Sequence, residues 1–299
     1  MTLSSSASPT HGLRDYPSGI AGGLVVLLIL ALALLAPLLP LADPLALDLK
    51  QKLVSPCALH IMGTDQAGRD ILSRIVWGSR ESLLIAVGAV SFGSIVGVTL
   101  GLIAGYMNGT ALEVVIARFF DILFSIPMLV LAVALIGILG TGPTKLAGIT
   151  FSNEIKLIGL IGLSFTPALG RLSYAAALVE AKSDYVRAKR AQGAGWLELI
   201  FVEIFPNAIP SVLIQGTLFI GVAIIVESSL SFVGLGVQPP TPSWGTMLAD
   251  ARGYIFSGEW WMTAFPGIAI CSTVIGFNLL GDALRDALDP RKGAISSFV

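Results

Sequence analysis

Charged side chains are scarce in this sequence. Asp, Glu, Lys and Arg make up 12% of its 299 residues, 55% are hydrophobic, and mean hydropathy is +0.85. A soluble domain is about a quarter charged, so this composition excludes an ordinary soluble globule and indicates a chain that crosses a membrane repeatedly. The net charge of −1 gives no electrostatic basis for binding nucleic acid. Histidine occurs twice, as His11 in a polar N-terminal stretch and His60 in a loop. That leaves no Ser/His/Asp constellation, and paired carboxylates suited to acid–base chemistry are not indicated. Cysteine also occurs twice: Cys57 lies in a polar loop and Cys271 in an apolar run, so no disulfide is expected and the redox compartment is not readable. Cys57 and His60 are two metal ligands without a second pair, which is too few for zinc. No polar stretch is long enough to fold as a separate catalytic domain. Gly140–Lys145 has the look of a phosphate loop but lacks the Gly before Lys and the Ser/Thr after it. No catalytic residue, resident cofactor or metal site is therefore expected, and ATP hydrolysis is not expected of this chain alone.

What the sequence does contain is long apolar runs. Six spans are predicted, at about 19–41, 83–106, 114–140, 157–178, 208–233 and 261–280, each able to cross a hydrocarbon core of about 30 Å. They define a transmembrane domain over 18–281 between polar tails at 1–17 and 282–299. The first run is too long for a signal-peptide apolar region of about 7–15 residues, and only Arg14 precedes it, so an uncleaved anchor is the better reading. Six crossings put both termini on one side. Lys and Arg are nearly balanced between the two sets of loops, so the positive-inside rule does not choose that side. In the loop before the second span, Asp70 is placed to cap a short helix over Ile71–Trp77.

Between the fourth and fifth spans lies the most charged stretch of the second half, Asp184–Pro206, with Asp184, Arg187, Lys189, Arg190, Glu198 and Glu203. Its spacing predicts two short amphipathic helices. Tyr185, Ala188, Ala191 and Gln192 share a face of the first. Gly193-Ala194-Gly195 makes the bend. Trp196, Leu197, Ile200, Phe201 and Ile204 form an apolar stripe on the second, and Pro206 is expected to end it. Such a hairpin cannot span; it is suited to lie at the membrane surface and be gripped by a partner.

Three further features stand out. Gly93, Gly97, Gly101 and Gly105 recur every fourth residue on one helix face, where small residues let another helix approach closely. Packing within the bundle is the simpler reading, and a subunit interface the alternative. Arg118 and Asp121, three residues apart, are expected to pair, and Pro127 to kink the third span. Glu227 is a carboxylate inside the fifth span. Either it serves the pathway, or it is held by Ser228, Ser229 and Ser231 near the far end of its helix.

Several motifs, in order, resemble the permease subunits of bacterial ATP-binding cassette importers for dipeptides, oligopeptides and nickel, specifically the C-type partner of the permease pair. They are HIMGTDQAGRDILSRIVWGSRESLL from His60, GLIAGYMNG and RFFDILFSIP, DYVRAKRAQGAGWLELIFVEIFPNAIP from Asp184, the stretch Glu227–Gly236, VQPPTPSWGTML, and FNLLGDALRDALDPR ending at Arg291. The resemblance implies an all-α polytopic membrane protein with the type I importer permease fold. It makes Asp184–Pro206 a cytoplasmic coupling loop that inserts into a groove on an ATPase subunit. Its core is Tyr185, Val186, Arg187, Ala188, Lys189, Arg190, Ala191, Gly193 and Ala194, closed by Phe205 and Pro206. Relatives usually carry Glu-Ala-Ala where this chain has Arg187-Ala188-Lys189, and Leu-Pro where it has Phe205-Pro206; the glycine and its spacing are kept.

The resemblance also implies a bacterial inner-membrane location with both termini cytoplasmic. The implied partners are membrane lipid, a homologous second permease, two ATP-binding subunits that bind ATP and Mg, and an extracytoplasmic solute-binding protein. Peptides are the default solute, with nickel chelates, glutathione or opine-like compounds as further members of the class. A self-sufficient secondary transporter or channel is the competing reading. It predicts inverted repeats, interrupted helices or several midplane charges, of which the sequence offers one doubtful carboxylate.

Overall fold

The computed structural model describes residues 17–146 and 148–288. The two tail readings at 1–16 and 289–299 lie outside the described residues. Ten helices follow in order: α1 (Pro17–Leu35), α2 (Ile71–Tyr106), α3 (Ala111–Ser125), α4 (Met128–Leu139), α5 (Asn153–Glu180), α6 (Asp184–Ala191), α7 (Trp196–Glu198), α8 (Phe205–Val233), α9 (Trp244–Ala251) and α10 (Trp261–Leu288). A six-residue π turn, Leu199–Ile204, joins α7 to α8. Among the described residues there is one two-stranded antiparallel hairpin, β1 (Thr144–Leu146) and β2 (Ile149–Phe151). Five helical stretches are long and apolar enough to cross a membrane, and the bent α3–α4 pair makes a sixth if it counts as one span.

The bundle is organised on α2 and α5. A Cβ on Gly93 or Gly105 would meet the carbonyl oxygens of Gly162 or Tyr174 at 2.7 and 2.6 Å, and one on Gly97 or Gly101 would strike those of Thr166 and Gly170 closer still. The glycine stripe is therefore covered by α5 of the same chain, and backbone meets backbone along it. Each contact advances four residues on both helices, so α2 and α5 run parallel. Parallel neighbours need a return crossing between them, and α3–α4 supplies it. The same logic makes α8 antiparallel to α2 (Ser82 beside Glu227) and α1 antiparallel to α10 (Gly22 against Gly276, Leu279 and Leu280). Pro17, Leu288 and the 184–204 segment consequently share one end of the bundle, and the 36–70, 140–152 and 234–260 connections share the other.

Several predicted boundaries move. The second span begins at Ile71, because Asp70 accepts from the Ser73 amide at 2.8 Å and the capped helix runs on unbroken for 36 residues. The third span is not one kinked helix: it breaks between Ser125 and Met128 and turns by 89°. Pro127 forces Ile126 into extended backbone (φ −90°, ψ 116°) and itself caps α4. The fourth span starts at Asn153, the last continues to Leu288, and residues 282–288 are helix instead of tail. The 234–260 loop contains α9, started by a reciprocal Ser243–Thr246 capping box.

The end of the bundle opposite the 184–204 segment is closed by an ordered cap. Asp65 pairs with Arg69 (2.7 Å) and with Arg74, and both arginines reach Asp250 on α9 at 3.0 and 3.2 Å. Burial would raise the Asp65 carboxyl, but Arg74, the Arg69 amide and guanidinium and the Ala67 amide together hold it below its ordinary value. The indole N–H groups of Trp244 and Trp261 donate to the carbonyls of Ile75 and Thr64 at 3.0 and 3.1 Å. His60 sits between Asp70 (2.9 Å) and Gln51, a partnered loop histidine.

Candidate functional site

Helix α6 opens with Asp184 in its first turn and closes with Lys189 and Arg190 in its last, charges that complement the helix dipole at both ends. It stops because Gly193 takes φ +93°, a conformation glycine adopts without a Cβ clash. The Ala194 amide then closes back on the Lys189 carbonyl at 3.2 Å. The expected apolar face is not the buried one. Val186 is fully buried, whereas Tyr185, Ala188, Ala191 and Gln192 face outward.

The second half differs more. Pro206 does not end a helix. It sits in the first turn of α8, where its missing N–H costs little, and the π turn carries the chain continuously from Trp196 to Val233. Bonding from the Phe205 amide to the Ile200 carbonyl, five residues back, widens this turn. Residues five apart then stack, so Leu199 and Ile204 lie on the same inner side and, with Ile200, are fully buried. The predicted stripe is thereby split: Ile200 and Ile204 turn inward, while Trp196, Leu197 and Phe201 remain 46, 51 and 40% exposed.

Side-chain ties hold the hairpin to the spans. The Tyr185 hydroxyl donates to Glu180 Oε2 at the end of α5 (2.7 Å) and accepts from Asn207 Nδ2 in α8 (2.8 Å). Burial and the Glu180 carboxylate raise the Tyr185 phenol above its ordinary value, so this hydroxyl stays protonated at neutral pH. Lys189 meets Glu203 at 3.2 Å, and Arg190 lies over the Tyr106 ring at the end of α2, 5.2 Å from its centroid. Arg187 is two-thirds exposed and only 3.8 Å from Asp184, a loose pair that leaves its guanidinium presented to the outside. The result is a rigid hairpin fastened to α2, α5 and α8. It exposes an aromatic and apolar surface of Tyr185, Trp196, Leu197 and Phe201; Arg187 and Pro206 are also exposed, while Phe205 packs against the core.

Glu227 belongs to the other end. Its carboxylate is fully buried six residues before the end of α8, and accepts from Ser231 (2.7 Å), Ser82 of α2 (3.1 Å) and Ser228 (3.4 Å). Ser229 instead bonds the Ile225 carbonyl. The Trp244 amide donates to Ser82 Oγ at 3.4 Å, so Glu227 joins α8, α2 and α9 beneath the cap.

Two groupings escape a reading by spacing alone. Arg118 lies 3.4 Å from Asp121, but the shorter partner of Asp121 is Arg171 of α5, at 2.8 Å. Lys156 is buried and donates to the Gly140 and Gly142 carbonyls, both at 2.6 Å, and to Thr144 Oγ1 at 3.2 Å. The signal for Lys156 was its place just before an apolar run with a glycine-rich turn sixteen residues earlier; the pairing itself needs the fold.

Comparison with known proteins places this architecture. Residues 97–293 match the family of binding-protein-dependent transport system inner membrane components. The di/tripeptide transport system permease protein DppC of Pseudomonas aeruginosa is 43% identical over 284 residues, covering 92% of this chain and 89% of that protein. The probable D,D-dipeptide transport system permease protein DdpC of Escherichia coli is 38% identical, covering 95% and 91%. The glutathione transport system permease protein GsiD of Pectobacterium atrosepticum is 39% identical, covering 93% and 88%. Among solved structures, an inward-facing MetNI methionine ABC transporter aligns with TM-score 0.58 at 19% identity, covering 73% of this chain and 98% of that one. This last likeness is one of fold.

Proposed function

The chain belongs to the family of binding-protein-dependent transport system inner membrane components, and from that premise we propose that it is one of two permease subunits in an ATP-driven importer of peptides or a related small solute. It forms half of the translocation pathway. A homologous permease forms the other half, two ATP-binding subunits supply hydrolysis with ATP and Mg, and an extracytoplasmic binding protein delivers the solute and sets most of the selectivity. The relatives named for dipeptides, D,D-dipeptides and glutathione support a solute with a peptide-like backbone. The chain sits in the bacterial inner membrane with Pro17, Leu288 and the hairpin on the cytoplasmic side and the Asp65–Asp250 cap outside.

The observation that carries this reading is the hairpin. An exposed aromatic surface, Trp196, Leu197 and Phe201, stands on an element bolted to three spans. A partner that grips it cannot move without moving α5 and α8, which is what a coupling element requires. The catalytic chemistry belongs to the partners; this chain transmits it.

The test is co-purification of the tagged chain from detergent-solubilised membranes, followed by ATPase assay. A second permease and two ATPase chains should accompany it, and Gly193→Pro should release the ATPases or uncouple hydrolysis from transport without preventing insertion, because proline cannot adopt φ +93°. A chain that purifies alone and moves solute along an ion gradient would establish a secondary transporter instead. Unchanged solute-stimulated ATPase in Gly193→Pro would remove the docking role.

A further inference from the structure

Asp121 and Arg171 occupy positions where a lipid-facing helix does not carry charge. Helix α5 has 28 residues, about 42 Å at the helical rise, and Arg171 lies nine residues, about 13 Å, from its C-terminal end. If α5 overhangs a hydrocarbon layer of about 30 Å equally at both ends, Arg171 is inside that layer. Asp121 is level with it through the 2.8 Å pair and has no long stem with which to reach an interface. Yet after all of this chain's own packing, both side chains remain about half exposed, and Arg118, one turn away, is 76% exposed.

Neither lipid nor a dry protein contact suits this arrangement. Charge facing hydrocarbon is strongly unfavourable, and intramembrane ionisable groups face a bundle interior or water. Two guanidiniums share the single Asp121 carboxylate, Arg118 on Oδ2 and Arg171 on Oδ1, so a dry interface would strand a positive charge and most of the N–H donors. Arg171 is further positioned by the Phe124 ring, 5.0 Å from its guanidinium carbon. Beside the pair lies a cavity of about 390 Å³ lined by Ala104, Glu113, Phe120, Asp121, Arg171 and Tyr174. Glu113 in its wall is already engaged by the Tyr174 hydroxyl at 2.8 Å and the Gly109 amide at 2.7 Å, so the unsaturated groups are those of the Asp121–Arg171–Arg118 cluster.

We propose that Asp121 and Arg171 face the aqueous translocation pathway in its half nearer the coupling hairpin, forming a polar station complementary to the ammonium and carboxylate groups of a passing peptide-like solute. This rests on the importer reading above. A guanidinium offers paired donors to a carboxylate, and Asp121 accepts from an ammonium; opening their mutual pair for a zwitterion exchanges one ion pair for two.

The test uses the intact complex, expressed with its native partners and reconstituted in vesicles, in a Cys57→Ser/Cys271→Ser background. Asp121→Cys is exposed to a small, membrane-impermeant, positively charged methanethiosulfonate reagent from the hairpin side, with Arg118→Cys as a second position should Asp121→Cys fail to assemble. The expected result is modification at least tenfold faster than at Leu28→Cys, an exposed apolar position on α1. Rates equal to that control, in a complex that retains its second permease and ATPases, would overturn the pathway assignment and leave the importer reading intact. Absence of those partners from the purified complex would overturn both.

Discussion

The Lys156 ammonium donates to the Gly140 carbonyl oxygen at 2.6 Å, which ties the first residues of α5 to the last turn of α4. A cation is thus placed where the exposed carbonyls of a helix C-terminus concentrate negative potential, and the Gly142 carbonyl and Thr144 hydroxyl complete its coordination. This side chain is one of the ties at the far end of the bent third crossing, beside the buried Ala132 and Ile136 and the Thr144 bond to the Leu139 carbonyl.

Lys156→Met keeps the apolar stem and removes the charge. The Gly140 and Gly142 carbonyls and the Thr144 hydroxyl then lose a charged donor, and the expected cost is about 1–3 kcal/mol. The check is thermal unfolding of the purified complex, where a lowered Tm is expected, with protease sensitivity rising first in the 140–152 segment. An unchanged Tm would show that water replaces the ammonium.

Gly101→Ala should be among the most damaging single-methyl additions in the chain, since its Cβ would collide with both the Gly170 carbonyl and the Ser173 hydroxyl. Helices α2 and α5 would have to separate, at an expected cost of about 1–3 kcal/mol or more. Gly23→Ala is the control, because a Cβ there meets only Leu280 Cδ1, at 4.0 Å. The yield of folded protein from membranes, by size-exclusion profile, should fall for Gly101→Ala and hold for Gly23→Ala.

Tyr185→Phe removes the hydroxyl that links Glu180 to Asn207 while keeping the ring. On the importer reading, basal ATP hydrolysis should persist while solute transported per ATP drops several-fold, because α6 loses its fastening to α5 and α8. Measuring both quantities in one vesicle preparation separates this outcome from misassembly, which lowers the two together.

The Asp65 cluster predicts acid sensitivity. A carboxyl held below its ordinary value of 3.8 in the folded state stabilises the cap fully above that value and loses the contribution as pH falls below it. Asp65→Asn should lower Tm at neutral pH, by an amount corresponding to at most about 3–5 kcal/mol for a broken buried pair. It should also flatten the fall in Tm below about pH 4. An unflattened profile would assign the acid response to other carboxylates.

Much of this molecule was legible before any fold was seen. Apolar runs located the crossings, four glycines at four-residue spacing announced a close helix contact, and Asp70 signalled a helix start, since each is a property of local sequence. Boundaries were less legible. Arg80 and Glu81 made the short helix over Ile71–Trp77 read as separate from the span beginning at 83, whereas α2 runs through both without a break. Pro206 read as a stop, because a π turn that readmits proline at the start of a new helical register has no simple sequence period.

What the sequence by itself determined is the membrane-crossing, helical character of the chain and a glycine-hinged amphipathic hairpin between two spans, since composition and periodicity act within a few residues. Only the tertiary structure decided which faces are spent on packing. It gave the glycine stripe to α5 of the same chain, turned Val186, Leu199, Ile200 and Ile204 inward, and left Tyr185, Trp196 and Phe201 for the outside. It also matched Asp121 with Arg171 and Glu227 with Ser82, pairs 50 and 145 residues apart. Such pairings depend on how helices are arranged in space, and an arrangement of that range is a property of the whole bundle.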